Sequence, residues 1–175
     1  GLARLLHTRR LPFHDVLLLM IALSDNLCTN LVIRRIGLER LNDIFRGPLG
    51  LRDTRVERKL FDYAARAEGK DNWGSARDCV RFFTLRDELP AEQRAWIDPL
   101  FLACVDLGLW MRNVPRDTVA FCHKTGNIEG VLHDWGYTED ADLFLLTQGV
   151  QDESEVYAVL DRLGPLLLTG AGTSL

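Results

Sequence analysis

An α+β fold, with a helical stretch ahead of an antiparallel sheet and a closing helix, is what this 175-residue sequence predicts. Three observations carry it. From about residue 12 to 107 apolar residues recur at helical spacing. From 117 to 147 the spacing switches to two, in three short runs separated by turn residues. After the acidic opening Asp152-Glu153-Ser154-Glu155, the helical period returns through Val156, Val159, Leu160 and Leu163.

The elements follow in order. Leu11-Pro12-Phe13-His14-Asp15 opens a first helix, because proline is tolerated in a first turn where its missing N–H has no partner to lose. Val16 to Leu23 is apolar on every face, the pattern of a central, buried helix. Ser24-Asp25-Asn26 then stops one helix and starts another that runs from about Leu27 to Ile36, with Gly37 as its C-terminal glycine. A short helix over 38–45 and a loop punctuated by Gly47-Pro48 and Gly50 precede a helix expected over Glu57 to Glu68. Ser75 caps the next helix, to about Leu85, with Asp78 expected to complete a capping box. Pro90 opens another, which Pro99 interrupts. Thr118 to Lys124, Gly130 to Tyr137 and Asp142 to Thr147 read as an antiparallel meander, and the tail after Gly170 as disordered.

Composition bounds the function. The chain is 47% hydrophobic and 26% charged, with a net charge of −4, which suits a globular protein. No basic cluster larger than Arg34-Arg35 or Arg9-Arg10 invites nucleic acid, and no apolar run is long enough to span a bilayer. Cys28, Cys79, Cys104 and Cys122 sit in apolar contexts without Cys-x-x-Cys spacing and read as free, buried thiols, which favours a cytoplasmic chain; a periplasmic or secreted one would need an upstream signal peptide. No set of His, Cys and Asp has metal-ligand spacing, and no cofactor is implied. The length suits one domain over 1–175, with 12–107 mostly helical and 117–170 holding the strands and last helix.

Two short motifs carry chemistry. Ser24-Asp25-Asn26 sits at a helix junction, and Lys124-Thr125-Gly126 ends the apolar run Val119-Ala120-Phe121-Cys122. Either alone would pass as punctuation, a helix cap in one case and a strand end in the other. Together they are two of the three motifs of class A β-lactamases and penicillin-binding proteins. The flanks agree: Leu19-Met20-Ile21-Ala22-Leu23 before the first motif, Thr29-Asn30-Leu31 after it, Ser75-Ala76-Arg77-Asp78, and Gly130-Val131 with Asp134 and Gly136. The chain therefore resembles the class A-like serine β-lactamases along its length. The resemblance implies their fold and an acylating serine mechanism on a β-lactam or peptidoglycan-like substrate. It makes Ser24 a proton relay to the departing nitrogen and Lys124 a positive charge beside it. Asn26 would bind the substrate's side-chain amide and Thr125 its carboxylate. Gly126 would permit close approach, the Asn127 N–H would be an oxyanion donor, and Asp25 would hold the corner. A D-Ala-D-Ala peptidase or esterase on the same fold, or an inactive binding module, fits the same residues.

Two departures temper the activity. No Ser-x-x-Lys occurs, and only 23 residues precede Ser24, so the chain reads as the C-terminal two-thirds of a longer protein with its N-terminal strands missing. The loop that should carry Glu-x-x-Leu-Asn has Leu60 at the glutamate and Ala64 at the asparagine, with Glu57 and Glu68 out of register. Strand 142–147, apolar on both faces, would then be left as an unpaired edge open to self-association or to a missing segment. His123 is read as packing, and Asp134 as a structural hydrogen-bonding residue. The 175-residue chain by itself is expected to leave a chromogenic cephalosporin intact; steady turnover abolished by Ser24→Ala would contradict this.

Overall fold

The computed structural model describes residues 1–8 and 10–170, so Arg9 and the tail after Gly170 lie outside the described residues. The chain divides into two compact units, Gly1–Met20 with Ser24–Arg94, and Ile21–Leu23 with Ala95–Leu175.

The first unit is mainly helical. A 3-10 turn, Leu2–Leu5, leads to α1, Phe13–Ala22, whose last residues group with the second unit. The helices α2, Asn26–Ile36, and α3, Leu38–Arg46, are separated by Gly37, which adopts φ +89. Only Val16 and Ala22 of α1 are buried; Leu17 to Ile21 are half-covered and Leu23 is exposed, so the expected fully buried helix is not found.

The chain from Leu51 to Leu60 forms almost no regular structure, yet its backbone is closely held. A backbone donor inside a fold needs a partner, and here side chains supply them. Asp78, 4% exposed, accepts from the backbone N–H of Arg52 (3.1 Å), Asp53 (2.9 Å) and Thr54 (2.6 Å) and from the Thr54 hydroxyl (2.7 Å). Asn42 grips Val56 from both sides, its amide donating to the carbonyl and accepting from the N–H, both at 2.8 Å. Asn72 Oδ1 accepts from Glu57 N and Arg58 N. Strands β1, Arg55–Val56, and β2, Asn72–Trp73, close the loop as a short antiparallel pair.

Two local expectations are corrected by this loop. Ser75 does cap α5, Ala76–Glu88, through Asp78 N, but the Asp78 carboxylate reaches the loop instead of completing a capping box. The helix expected from Glu57 shrinks to α4, Tyr63–Ala67, because Phe61 takes φ +65 and Asp62 restarts the helix by accepting from Ala65 N.

The second unit carries α6, Ala91–Leu102, from Ala95 onward, with Pro99 inside it, then a sheet and α7, Glu153–Thr169. Strands β3, Cys122–Ile128, β4, Val131–Tyr137, and β5, Asp142–Leu146, form an antiparallel sheet in sequence order. The first strand begins later than its apolar run and continues through Gly126. The register from Cys122↔Tyr137 to Ile128↔Val131 places Lys124-Thr125-Gly126 inside the strand, and Gly130, at φ +74, makes the turn. Leu132 and Phe121 pack with Leu109, Trp110, Met111 and Val114 and with Leu160 and Leu168 of α7 into one apolar core. Helix α7 approaches so closely that a Cβ at Gly164 would sit 2.3 Å from the Trp110 carbonyl oxygen.

Two expected outcomes follow. Gly164→Ala should cost about 1–3 kcal/mol, a melting midpoint lower by roughly 2–12 °C; an unchanged midpoint would show that the helix shifts freely. Burial raises the Asp78 carboxyl, but the hydrogen bonds from Thr54, Asp53 and Arg52 outweigh it and hold the group below its ordinary 3.8. Its folded value is depressed, so its contribution is present above pH 3.8 and is lost as acid protonates it below that. Asp78→Asn should cost about 1–3 kcal/mol at neutral pH, a gap that narrows in acid denaturation below that value.

Candidate functional site

The Ser24 corner is built by Asp25. Its carboxylate, in a residue 2% exposed, accepts from Leu27 N (2.9 Å) and Cys28 N (3.1 Å) as the N-cap of α2, and from Ala3 N (2.8 Å). Its own N–H donates to the Leu19 carbonyl at 3.1 Å, closing the end of α1. Burial opposes ionisation, but these N–H donors prevail and hold the carboxyl below its usual value. The corner forces Ser24 into the left-handed region at φ +51, which costs a non-glycine residue about 1–3 kcal/mol. Ser24 is exposed, and Asn26 is half-buried as the first residue of α2.

One turn along α2, Asn30 holds Leu60. Its amide donates to the Leu60 carbonyl at 3.0 Å and accepts from the Leu60 N–H at 2.8 Å. The position where the resemblance expects a catalytic glutamate is thus fixed in space, but an aliphatic side chain occupies it. Glu57 pairs with Arg55 and accepts from Asp71 N, and Glu68 pairs with Lys70, so both nearby acids have other work.

In the second unit, Lys124 is half-buried and its ammonium donates to the Thr125 carbonyl. Burial pulls the ammonium below its ordinary value, partly offset by the negative charge of Cys104, Asp106 and Asp134. Thr125 is buried, and its hydroxyl donates to Asp106 Oδ2 at 2.7 Å, so a substrate carboxylate would compete with Asp106 for it. Gly126 faces open space, with nothing within 4 Å of where a Cβ would stand, and Asn127 is exposed. A cavity of about 50 Å³ beside them is lined by Asp106, Gly108, Thr125, Gly126, Asn127 and Tyr157, among others.

Beneath the strand lies His123, 1% exposed. Its Nδ1 meets Asp134 Oδ1 at 3.0 Å, its ring stacks on Phe121 at 4.8 Å, and Asp134 accepts from Trp110 N at 3.1 Å. Burial alone would lower the imidazole, but Asp134 and Cys104 raise it to about 9. His123 is therefore a buried ionic partner as well as a packing residue. Gly136 leaves room for it: a Cβ there would lie 2.4 Å from the His123 Cβ.

Ser24, Asp25 and Asn26 thus form one contiguous group in the first unit, and Lys124, Thr125, Gly126 and Asn127 another in the second. Asn30, Asp106 and Cys104 escaped sequence reasoning as site neighbours. Asn30 stood in a quoted flank without a role, and nothing around Asp106 or Cys104 sets them apart from an ordinary loop. Among the described residues no cluster of three His, Cys, Asp or Glu is disposed to hold a metal, and no helix is long and apolar enough to cross a membrane.

Comparison with known proteins fits this geometry. The structure is similar to a β-lactamase from Sphaerobacter thermophilus DSM 20745, with a TM-score of 0.78 and 26% identity, covering 97% of this chain and 67% of that one. It is also similar to PBP-A (0.71, 22%, 92% and 63%) and to the β-lactamase of Streptomyces albus G (0.71, 22%, 90% and 65%). The chain thus spans about two-thirds of the length of these relatives. No curated protein matches it. A model described as the beta-lactamase enzyme family matches residues 1–169, and on that match, with an α+β fold of the class A kind beneath it, the chain belongs to the β-lactamase family.

Proposed function

We propose that this chain is the C-terminal part of a serine hydrolase of class A type, which opens β-lactam rings by acylating a serine carried on a segment upstream. The observation that carries the reading is the Ser24 corner, where a buried aspartate locks a strained, exposed hydroxyl into place. Such strain is retained where the surroundings over-determine it, and it concentrates at working sites.

The roles follow from charge and reach. The Ser24 hydroxyl relays a proton to the nitrogen that leaves as the ring opens. Lys124, an ammonium lowered by burial, favours that transfer through its charge and gives up a proton more readily than a solvated lysine. Asn26 holds the substrate's side-chain amide. Gly126 and Asn127 lie on β3, an outer strand of the described sheet, where the Asn127 N–H is the donor for the developing oxyanion and Gly126 admits the ligand. Thr125 binds the substrate carboxylate by exchanging its bond to Asp106. Asp25 is structural. The whole is one domain that uses no metal or cofactor, and β5, the other outer strand, is the edge for self-association or for upstream strands.

A second reading, a D-Ala-D-Ala peptidase or a penicillin-binding module, is favoured by Leu60. No carboxylate stands there to activate a water. Among the similar structures is a PBP-A mutant solved as an acyl-enzyme complex with penicillin G, at 23% identity and a TM-score of 0.67. Fluorescent penicillin and a chromogenic cephalosporin separate the readings in the protein extended upstream to include a Ser-x-x-Lys. Labelling should appear, fall with Ser24→Ala, and persist, because loss of a general base slows release by about 10²–10⁴. Rapid cephalosporin turnover without a trapped adduct by mass spectrometry would assign the base to another residue. Absence of labelling would leave only the inactive module.

A further inference from the structure

Beneath the Lys124 strand, the second unit holds a cluster that the proposed acyl transfer does not use. Asp134, 0% exposed, accepts from Trp110 N and meets His123 Nδ1 at 3.0 Å. The His123 Nε2 is buried and has no well-formed hydrogen bond among the described residues, and the ring's other polar neighbour is the Cys104 thiol. The sulfur also lies against the backbone N–H groups of Asp106 and Thr125. A carboxylate behind an imidazole, with a thiol in front and two N–H donors at the sulfur, is the arrangement that stabilises a thiolate. A buried ring with one nitrogen spoken for has its remaining N–H to satisfy, and an anionic sulfur satisfies it best.

We propose that Cys104, His123 and Asp134 form a thiolate–imidazolium site for small neutral electrophiles, hydrogen peroxide being the oxidant that fits. Cys104 is 7% exposed, which admits a molecule little larger than water and keeps out bulky disulfides. The thiolate sulfur attacks one peroxide oxygen, and the O–O bond breaks. Sulfur is oxidised by two electrons to the sulfenic acid and the peroxide is reduced. The departing hydroxide takes the proton of the His123 imidazolium and leaves as water. Oxygen added to the sulfur presses on the Asp106 and Thr125 backbone, next to Lys124, so the modification acts on the strand that the β-lactam reading assigns to substrate. The site itself does not depend on that reading.

The other cysteines set the contrast. Burial and Asp25 raise the Cys28 thiol, and burial and Asp78 raise Cys79. At Cys104 burial is overcome by His123 and by the Asp106 and Thr125 amides, and the thiol is lowered. The charged groups facing the pair are Asp134 on β4, Lys124 on β3 and Asp106 in the loop after α6; Lys124 favours the thiolate and the carboxylates favour the imidazolium.

The test treats the native chain with hydrogen peroxide, stops the reaction, unfolds the protein in acid, and alkylates the surviving thiols for peptide mass spectrometry. At pH 7, Cys104 should be lost at least about ten-fold faster than Cys28 or Cys79. His123→Gln should slow it by about ten-fold and move the midpoint of its rate–pH profile upward. Should that variant fail to fold, thiolate absorbance of the native chain near 240 nm decides instead. One thiolate should be present below pH 8 and vanish in Cys104→Ser. Equal rates at all three cysteines, an unmoved rate–pH midpoint in His123→Gln, or no thiolate signal below pH 8 would overturn the site.

Discussion

Irregular backbone cannot bond to itself, and this fold depends on how that debt is met. Helices and strands satisfy their own N–H and C=O groups, but a buried corner or loop must borrow partners. Here the lenders are a few short polar side chains. Asp25 serves the junction of α1 and α2, while Asp78, Asn42, Asn72 and Asn30 hold the loop from Arg52 to Leu60. In the second unit Asp134 serves Trp110, where the chain turns under the sheet. Asp25, Asp78 and Asp134 are all nearly inaccessible, yet each meets N–H donors, so the cost of burying the charge is offset by charge-assisted hydrogen bonds.

Much of this was legible in the sequence because it is local. Helical and two-residue periods locate every helix but one and all three strands of the larger sheet. Asp25, Ser75 and Asp152 announce themselves as caps by type and position. What could not be read is non-local. Nothing near Asp78 says that its carboxylate serves residues more than twenty positions earlier, so its place after Ser75 suggests a capping box. Glu57 to Glu68 has helical composition, but the bonds from Asn30 and Asn72 hold its first half as loop. Tertiary partners override propensity wherever they satisfy the backbone first.

The candidate site shows the same division. Ser24-Asp25-Asn26 and Lys124-Thr125-Gly126 are visible because spacing along the chain reflects their local geometry. The strand bounds were missed at Lys124, since the apolar run before it suggested that β3 ends where it is in fact under way. His123 was legible only as an inward residue of a strand. Its charge depends on Asp134 across the hairpin and on Cys104 in the loop after α6, and no periodicity reports such partners.

The left-handed backbone at Ser24 sets stability and chemistry against each other at one position. Glycine would relax that corner at no steric cost and would remove the hydroxyl at the same time. A screen that rewards heat resistance alone would therefore drift toward glycine at position 24, gathering proteins that fold better and have lost the group that the corner exists to display. Stability and competence would have to be selected together here, because the corner that strains the serine is also the one that presents it.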